Sequence, residues 1–124
     1  MPEGRFRKAL RKLTADDDDL AAERLQRTTE AHGACPISDA PVRTPVKLHG
    51  TLQSVTLRPR GGVPALEAEL YDGTGTAYVV WLGRRRIGGI RAGASMVVEG
   101  RLAEGDGGRR VLYNPSYRLL PGPA

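Results

Sequence analysis

Two periodicities divide the chain. Before residue 34 the apolar positions recur at helical spacing; from Val46 onward apolar and polar residues alternate as strands do. Phe6, Ala9, Leu10 and Leu13 fall at i, i+3, i+4 and i+7, which predicts a short helix over Gly4–Leu13. Arg5, Arg7, Lys8, Arg11 and Lys12 cover its remaining faces. The run Asp16-Asp17-Asp18-Asp19 reads as the cap of a second helix, Leu20 to about Glu30, because carboxylates favour the exposed N–H groups and positive dipole end of a helix start. Gly33 is the expected stop. Pro36, Pro41 and Pro45 mark residues 34–45 as a linker.

In the alternating half, Val46, Leu48 and Leu52 share one phase, whereas Val55 and Leu57 share the other. A strand that changes its buried face must bend or bulge, and Gly50 offers a place to do so. One long curled strand to Leu57 follows, then an Arg58–Gly62 loop and a second strand from Ala65 to Tyr71. That strand points Leu66, Ala68 and Leu70 inward and Glu67 and Glu69 outward. Asp72-Gly73-Thr74-Gly75 is a tight-turn signature before a third strand, Thr76–Leu82. The Arg- and Gly-rich stretch Gly83–Gly93 holds at most one helical turn, near Ile87–Ile90. A fourth strand covers Ser95–Leu102, a Glu104–Gly108 loop follows, and a fifth strand covers Arg109–Tyr113 before Asn114-Pro115 breaks the ladder. Five strands in so few residues must dispose of their edges, and curling into a small barrel does this. The expected class is mainly β: a five-stranded OB-fold barrel at 46–120 with a short N-terminal helical extension at 1–33, the linker, and a tail at 121–124.

Composition narrows the chemistry. At 124 residues the chain suits one small domain. Its net charge of +5 is uneven: residues 1–40 are close to neutral and residues 41–124 carry the excess of basic groups. With Cys35 alone, no internal disulfide forms, which fits a reducing cytoplasm. No run approaches the ~20 apolar residues of a membrane span, so no membrane partner is expected. None of Lys8, Lys12 and Lys47 follows a glycine, so the phosphate-cradling Gly-Lys-Ser/Thr loop is missing, and so is the Gly-x-Ser-x-Gly elbow of a hydrolase. His32 and Cys35 have ligand-like spacing without further partners, and the acidic run lacks the spacing of a calcium loop. No metal, no cofactor and no catalytic set is therefore expected, and the reading is of a protein that is not an enzyme.

Particular segments also carry a family resemblance. Val46-Lys47-Leu48-His49-Gly50-Thr51-Leu52 resembles the first strand of bacterial OB-fold domains. Leu70-Tyr71-Asp72-Gly73-Thr74-Gly75 with Val79-Val80-Trp81-Leu82-Gly83 is similar to their second hairpin, and Gly93–Arg101 is similar to their fourth strand. The pattern is similar to tRNA-anticodon-type OB domains and to the wedge domain of branch-migrating DNA helicases. It resembles more closely the small stand-alone OB-fold nucleic-acid-binding proteins of actinobacteria. The resemblance implies a binding role, since the motor and catalytic domains of the larger relatives have no counterpart in these residues.

OB domains bind oligonucleotides across the second and third strands, between the loops after the first strand and before the fifth. Single strands need cations along the backbone path and flat side chains for stacking. The candidates are Lys47, Arg58, Arg60, Arg84, Arg85, Arg86, Arg91, Arg109 and Arg110 as cations, and Tyr71, Tyr78 and Trp81 as platforms. The third strand is apolar on both faces. If Ala77 and Val79 point inward, Trp81 is core and Tyr78 faces the groove. Tyr113 and Tyr117 read as packing residues. The expected ligand is single-stranded DNA or RNA on an arginine-rich rim, against which the outward Glu67 and Glu69 argue. The alternative is a protein-interaction adaptor that uses the OB barrel and the N-terminal helices, with a protein partner bound through residues 1–40.

Overall fold

The structure, a computed structural model, describes the backbone of residues 2–121 and the side chains of residues 17–121. It consists of a helix, α1 (Pro2–Ala31), and six strands: β1 (Pro45–Leu57), β2 (Ala65–Tyr71), β3 (Thr76–Leu82), β4 (Ser95–Glu104), β5 (Arg110–Tyr113) and β6 (Ser116–Leu119). The first five close in the order β1-β2-β3-β5-β4 and back to β1, with β3 and β5 parallel and the other contacts antiparallel. This is the OB-fold barrel.

Closure depends on β1, which pairs with β4 through Pro45–Thr51 and with β2 through Thr51–Leu57. The change of phase along β1 is a register shift between Leu52 and Ser54, leaving Gln53 as the extra residue. Leu48 and Leu52 are buried before the shift, and Val55 packs against the core after it. Gly50 has a separate role. A Cβ there would stand 2.5 Å from the Tyr71 carbonyl oxygen, so glycine lets the strands converge where β1 passes from one partner to the other.

The barrel is filled by Leu48, Leu52, Leu66, Ala68, Leu70, Ala77, Val79, Trp81, Met96, Val98, Leu102 and Leu112. Ile87 and Ile90 join this cluster from the β3–β4 connector, where Ile90 N–H closes a turn on the Ile87 carbonyl instead of the expected helical turn. The segment read as a linker is also built in. It forms a 3-10 turn at Ile37–Asp39, with Ile37 fully buried and Ala40 nearly so. Burying an isoleucine stabilises by roughly 1.5–3 kcal/mol. Asp72 fastens this turn: its Oδ2 accepts from Ile37 N at 2.8 Å, while its Oδ1 accepts from Thr74 N at 2.8 Å, Thr74 Oγ1 at 2.6 Å and Gly75 N at 3.1 Å.

The helical half corrects the expected two-helix division. α1 is continuous, and Asp17, Asp18 and Asp19 lie inside it, exposed to solvent. Interior aspartate costs at most ~0.7 kcal/mol per residue relative to alanine, too little to break a helix flanked by good helix formers. The side chains of the Phe6, Ala9, Leu10 and Leu13 stripe and of its basic neighbours lie outside the described residues. Gly33, at φ 68°, ends α1 as expected, with Ala34 N–H bonded to the Thr29 carbonyl and Gly33 N–H to that of Glu30.

The C-terminal half of α1 lies on the outer surface of the barrel. Thr29 is buried and its Oγ1 is 2.8 Å from His49 Nδ1, His32 stacks on His49 with ring centres 6.0 Å apart, and Gln26 reaches the Gly73 carbonyl. β6 is a sixth strand that alternation alone does not predict. It pairs with Met96–Glu99 of β4 after Asn114, at φ 50°, turns the chain. No helix among the described residues is long and apolar enough to cross a membrane.

Candidate nucleic-acid interface

Alternation gives β2, β3 and β5 a shared outer face. Register sets Glu69 opposite Tyr78 and Glu67 opposite Val80, and then Tyr78 beside Val111 and Val80 beside Tyr113. Ala65, Val80 and Val111 form a small buried cluster on this face, with Tyr78 packed against it. Two loops rise at its ends. The β1–β2 loop brings Arg60, and the β4–β5 loop brings Arg109. Together with Glu67, Glu104, Asp106, Tyr78, Val111 and Tyr113 they line a groove of about 420 Å³.

Each groove tyrosine carries an arginine. The Arg109 guanidinium lies 4.9 Å from the Tyr78 ring centre, and that of Arg60 lies 5.8 Å from the Tyr113 ring centre. Arg60 also pairs with Glu67 at 3.3 Å. Asn114 secures the β5 end of the face: its N–H donates to the Val80 carbonyl at 2.7 Å and its Oδ1 accepts from Leu82 N at 2.9 Å. Tyr113, with 44% of its surface exposed, is a groove residue, contrary to the expectation that it packs. The signal was present in its phase, which is that of Val111, but β5 is apolar on both faces.

Arg84, Arg85 and Arg86 are exposed and leave the end of β3 beside the β1–β2 loop, where Gly83 N–H donates to the Pro64 carbonyl at 2.7 Å. Arg58 is exposed in the same loop. Among the described residues, no carboxylate pairs with Arg58, Arg84, Arg85 or Arg86.

Five other candidates stand elsewhere. Trp81 follows Ala77 and Val79 inward and is 5% exposed, so it offers no stacking surface; Tyr117 meets it edge-on at 5.7 Å. Tyr71 borders a cleft with Leu25 and Thr28 of α1, apart from the groove. Lys47 pairs with Glu99 at 3.9 Å beside Val97 and Arg118 on the β1–β4–β6 surface. Arg91 borders Gly89 and Leu119 at the β3–β4 connector. Arg110 is half-buried and structural, donating to the Ala40 and Ser38 carbonyls at 3.2 and 3.1 Å. For Tyr71, Lys47 and Arg110 alternation could not detect the placement, because it is decided by which distant segment covers the outer face.

Burial raises the Cys35 thiol above its ordinary pKa, with Asp39 and Asp72 adding to the effect and Arg110 opposing it. A protonated thiol is a poor nucleophile and a poor metal ligand. Burial lowers the pKa of His49; His32 lowers it further and Asp72 opposes. Among the described residues no group of three or more His, Cys, Asp or Glu side chains could hold a metal ion.

Neither a protein-family model nor a curated protein matches the chain. Among solved structures, the chain is similar to the solution NMR structure of a replication factor A related protein from Methanobacterium thermoautotrophicum, with a TM-score of 0.53 and 15% sequence identity. The match covers 70% of this chain and 90% of that one. At this identity the likeness establishes a shared fold, and the five-stranded closed barrel with one N-terminal helix is that of an OB-fold protein.

Proposed function

We propose that this protein binds single-stranded DNA or RNA, without catalysis, across the outer face of β2, β3 and β5. The observation that carries the reading is the pair Tyr78 and Tyr113, each with an arginine over its ring, set between the two loops that flank this face. Stacking on such rings contributes about 1–3 kcal/mol per base and accepts any base. Arg58, Arg60, Arg84, Arg85, Arg86 and Arg109 form the rim that meets the phosphates. Guanidinium groups suit this task because they bridge phosphate oxygens and also stack on bases. The described groove acids, Glu67, Glu104 and Asp106, keep phosphates off the floor and send the backbone along that rim.

The fold likeness to a replication factor A related protein is in keeping with this reading, as is the resemblance to stand-alone actinobacterial OB proteins. A lone cysteine suits the cytoplasm as its setting. Fluorescence anisotropy with labelled single strands and duplexes tests the proposal. Single strands are expected to bind more tightly, and failure to bind either at low salt overturns it.

A second reading, a protein-interaction adaptor, draws on the exposed Leu57, Val63 and Leu82 and on the exposed Asp17–Asp19 of α1. It expects a stable partner retained after nuclease treatment and lost when those three aspartates become asparagine. Retention despite that change removes α1 acidity from the contact.

A further inference from the structure

Resting on the nucleic-acid reading above, we propose that Glu67 makes the groove selective for guanine. Its side chain is 12% exposed, so it belongs to the floor of the groove and not to its solvated edge. Only Oε2 is engaged, by Arg60 at 3.3 Å; among the described residues no donor reaches Oε1. The residue faces Val80 on β3, one step along the same face from Tyr78 and across Val80 from Tyr113. A base lying on the Tyr113 ring turns an edge across Val80 toward β2, and the carboxylate in line with it there is Glu67, whereas Glu69 stands opposite Tyr78.

A carboxylate only accepts hydrogen bonds, and it accepts two side by side. Guanine presents two adjacent donors, N1–H and the N2 amino group, in a spacing that matches. Thymine and uracil offer one N–H between two carbonyl oxygens that the carboxylate repels. Adenine and cytosine offer one amino group beside an acceptor ring nitrogen. The charged pair with guanine is therefore the strong one, and it places the phosphates away from the floor, toward the arginines. Base edges supply sequence preference and phosphate contacts supply position. The acidic residue that weakens a generic polyanion site is thus the one able to discriminate among bases.

The test compares wild type, Glu67→Gln and Arg60→Ala by anisotropy against labelled oligo-dT, oligo-dC, oligo-dA and alternating dT-dG strands, at neutral pH and in lithium buffer so that the strands do not self-associate. Wild type is expected to bind the dT-dG strand roughly tenfold more tightly than the other three, the discrimination of one good base pairing. Glu67→Gln is expected to abolish that preference while binding oligo-dT at least as well, because a negative charge has left the floor. Arg60→Ala is expected to weaken all four and keep the preference. Equal binding of all four strands by wild type, or a guanine preference that survives Glu67→Gln, overturns this inference alone. No binding to any strand overturns the nucleic-acid reading and this inference with it.

Discussion

The Arg109 guanidinium lies over the Tyr78 ring, 4.9 Å from its centre, and joins the β4–β5 loop to the centre of the outer sheet. The ring is half-buried against the Ala65, Val80 and Val111 cluster, and Arg109 lies over it. Tyr78→Ala is expected to weaken single-strand binding by about 1–3 kcal/mol, the contribution of one stacked base. Tyr78→Phe keeps the platform and is expected to bind like wild type. Titrations of both variants by anisotropy check this; weaker binding by Tyr78→Phe would assign the effect to the hydroxyl group.

The arginines separate into two kinds. Arg84, Arg85 and Arg86 project from the end of β3, whereas Arg110 holds the Ala40 and Ser38 carbonyls. Changing the three exposed residues to alanine is expected to leave the melting temperature nearly unchanged and to flatten the dependence of log K on log salt, by ~0.7 for each phosphate that is no longer neutralised. Arg110→Ala is expected to do the reverse: the salt slope stays and stability falls by roughly 1–3 kcal/mol as two carbonyls are left without a charged donor. Thermal melts and salt titrations on the same preparations distinguish the two.

Asp72 links the β2–β3 turn to the 3-10 turn through four hydrogen bonds while fully buried. Asp72→Ala strands the Ile37 and Thr74 backbone donors and is expected to cost roughly 2–4 kcal/mol. Urea unfolding should show a lower midpoint with an unchanged slope.

Docking of α1 has its own pH signature. Thr29 Oγ1 donates to the Leu25 carbonyl, so it accepts from His49 Nδ1–H, and the neutral ring fits its buried place. Because the folded-state pKa of His49 lies below its ordinary ~6.5, both states hold the ring neutral at higher pH. As pH falls below ~6.5, the unfolded chain takes up the proton first. The stability contributed by neutral His49 therefore declines until pH passes the folded-state pKa, where the decline levels off. Comparing wild type with His49→Gln removes the contribution of other groups: the advantage of wild type is expected to shrink as pH falls from about 7.5 to about 5. An advantage that grows on acidification contradicts this account.

Much of this architecture was legible in the chain. The phase change between Leu52 and Val55 announced the bulge, Asp72-Gly73-Thr74-Gly75 its turn, and the Leu66-Ala68-Leu70 phase put Glu67 and Glu69 outside. Loop position and strand phase bring Arg60, Tyr78 and Arg109 to one groove. Tyr71, Lys47 and Arg110 stand apart from it, since α1, β6 and the 3-10 turn cover parts of the outer surface that alternation marks as free. Trp81 and Tyr113 lay on strands apolar on both faces, where only the closure of β3 against β5 selects the inward set. The continuity of α1 through four aspartates was hidden by an N-terminal signal that its flanks override.

On the proposed reading, one outer face of the barrel holds a single strand by rings and guanidinium groups together. Anisotropy of a labelled single strand and of its duplex, measured across salt concentrations with wild type and with the Arg84, Arg85, Arg86 triple alanine variant, tests it most directly. The single strand is expected to bind more tightly, with a steep fall with salt and a shallower slope for the variant. Equal affinity for the duplex, or a slope that the variant leaves unchanged, contradicts it.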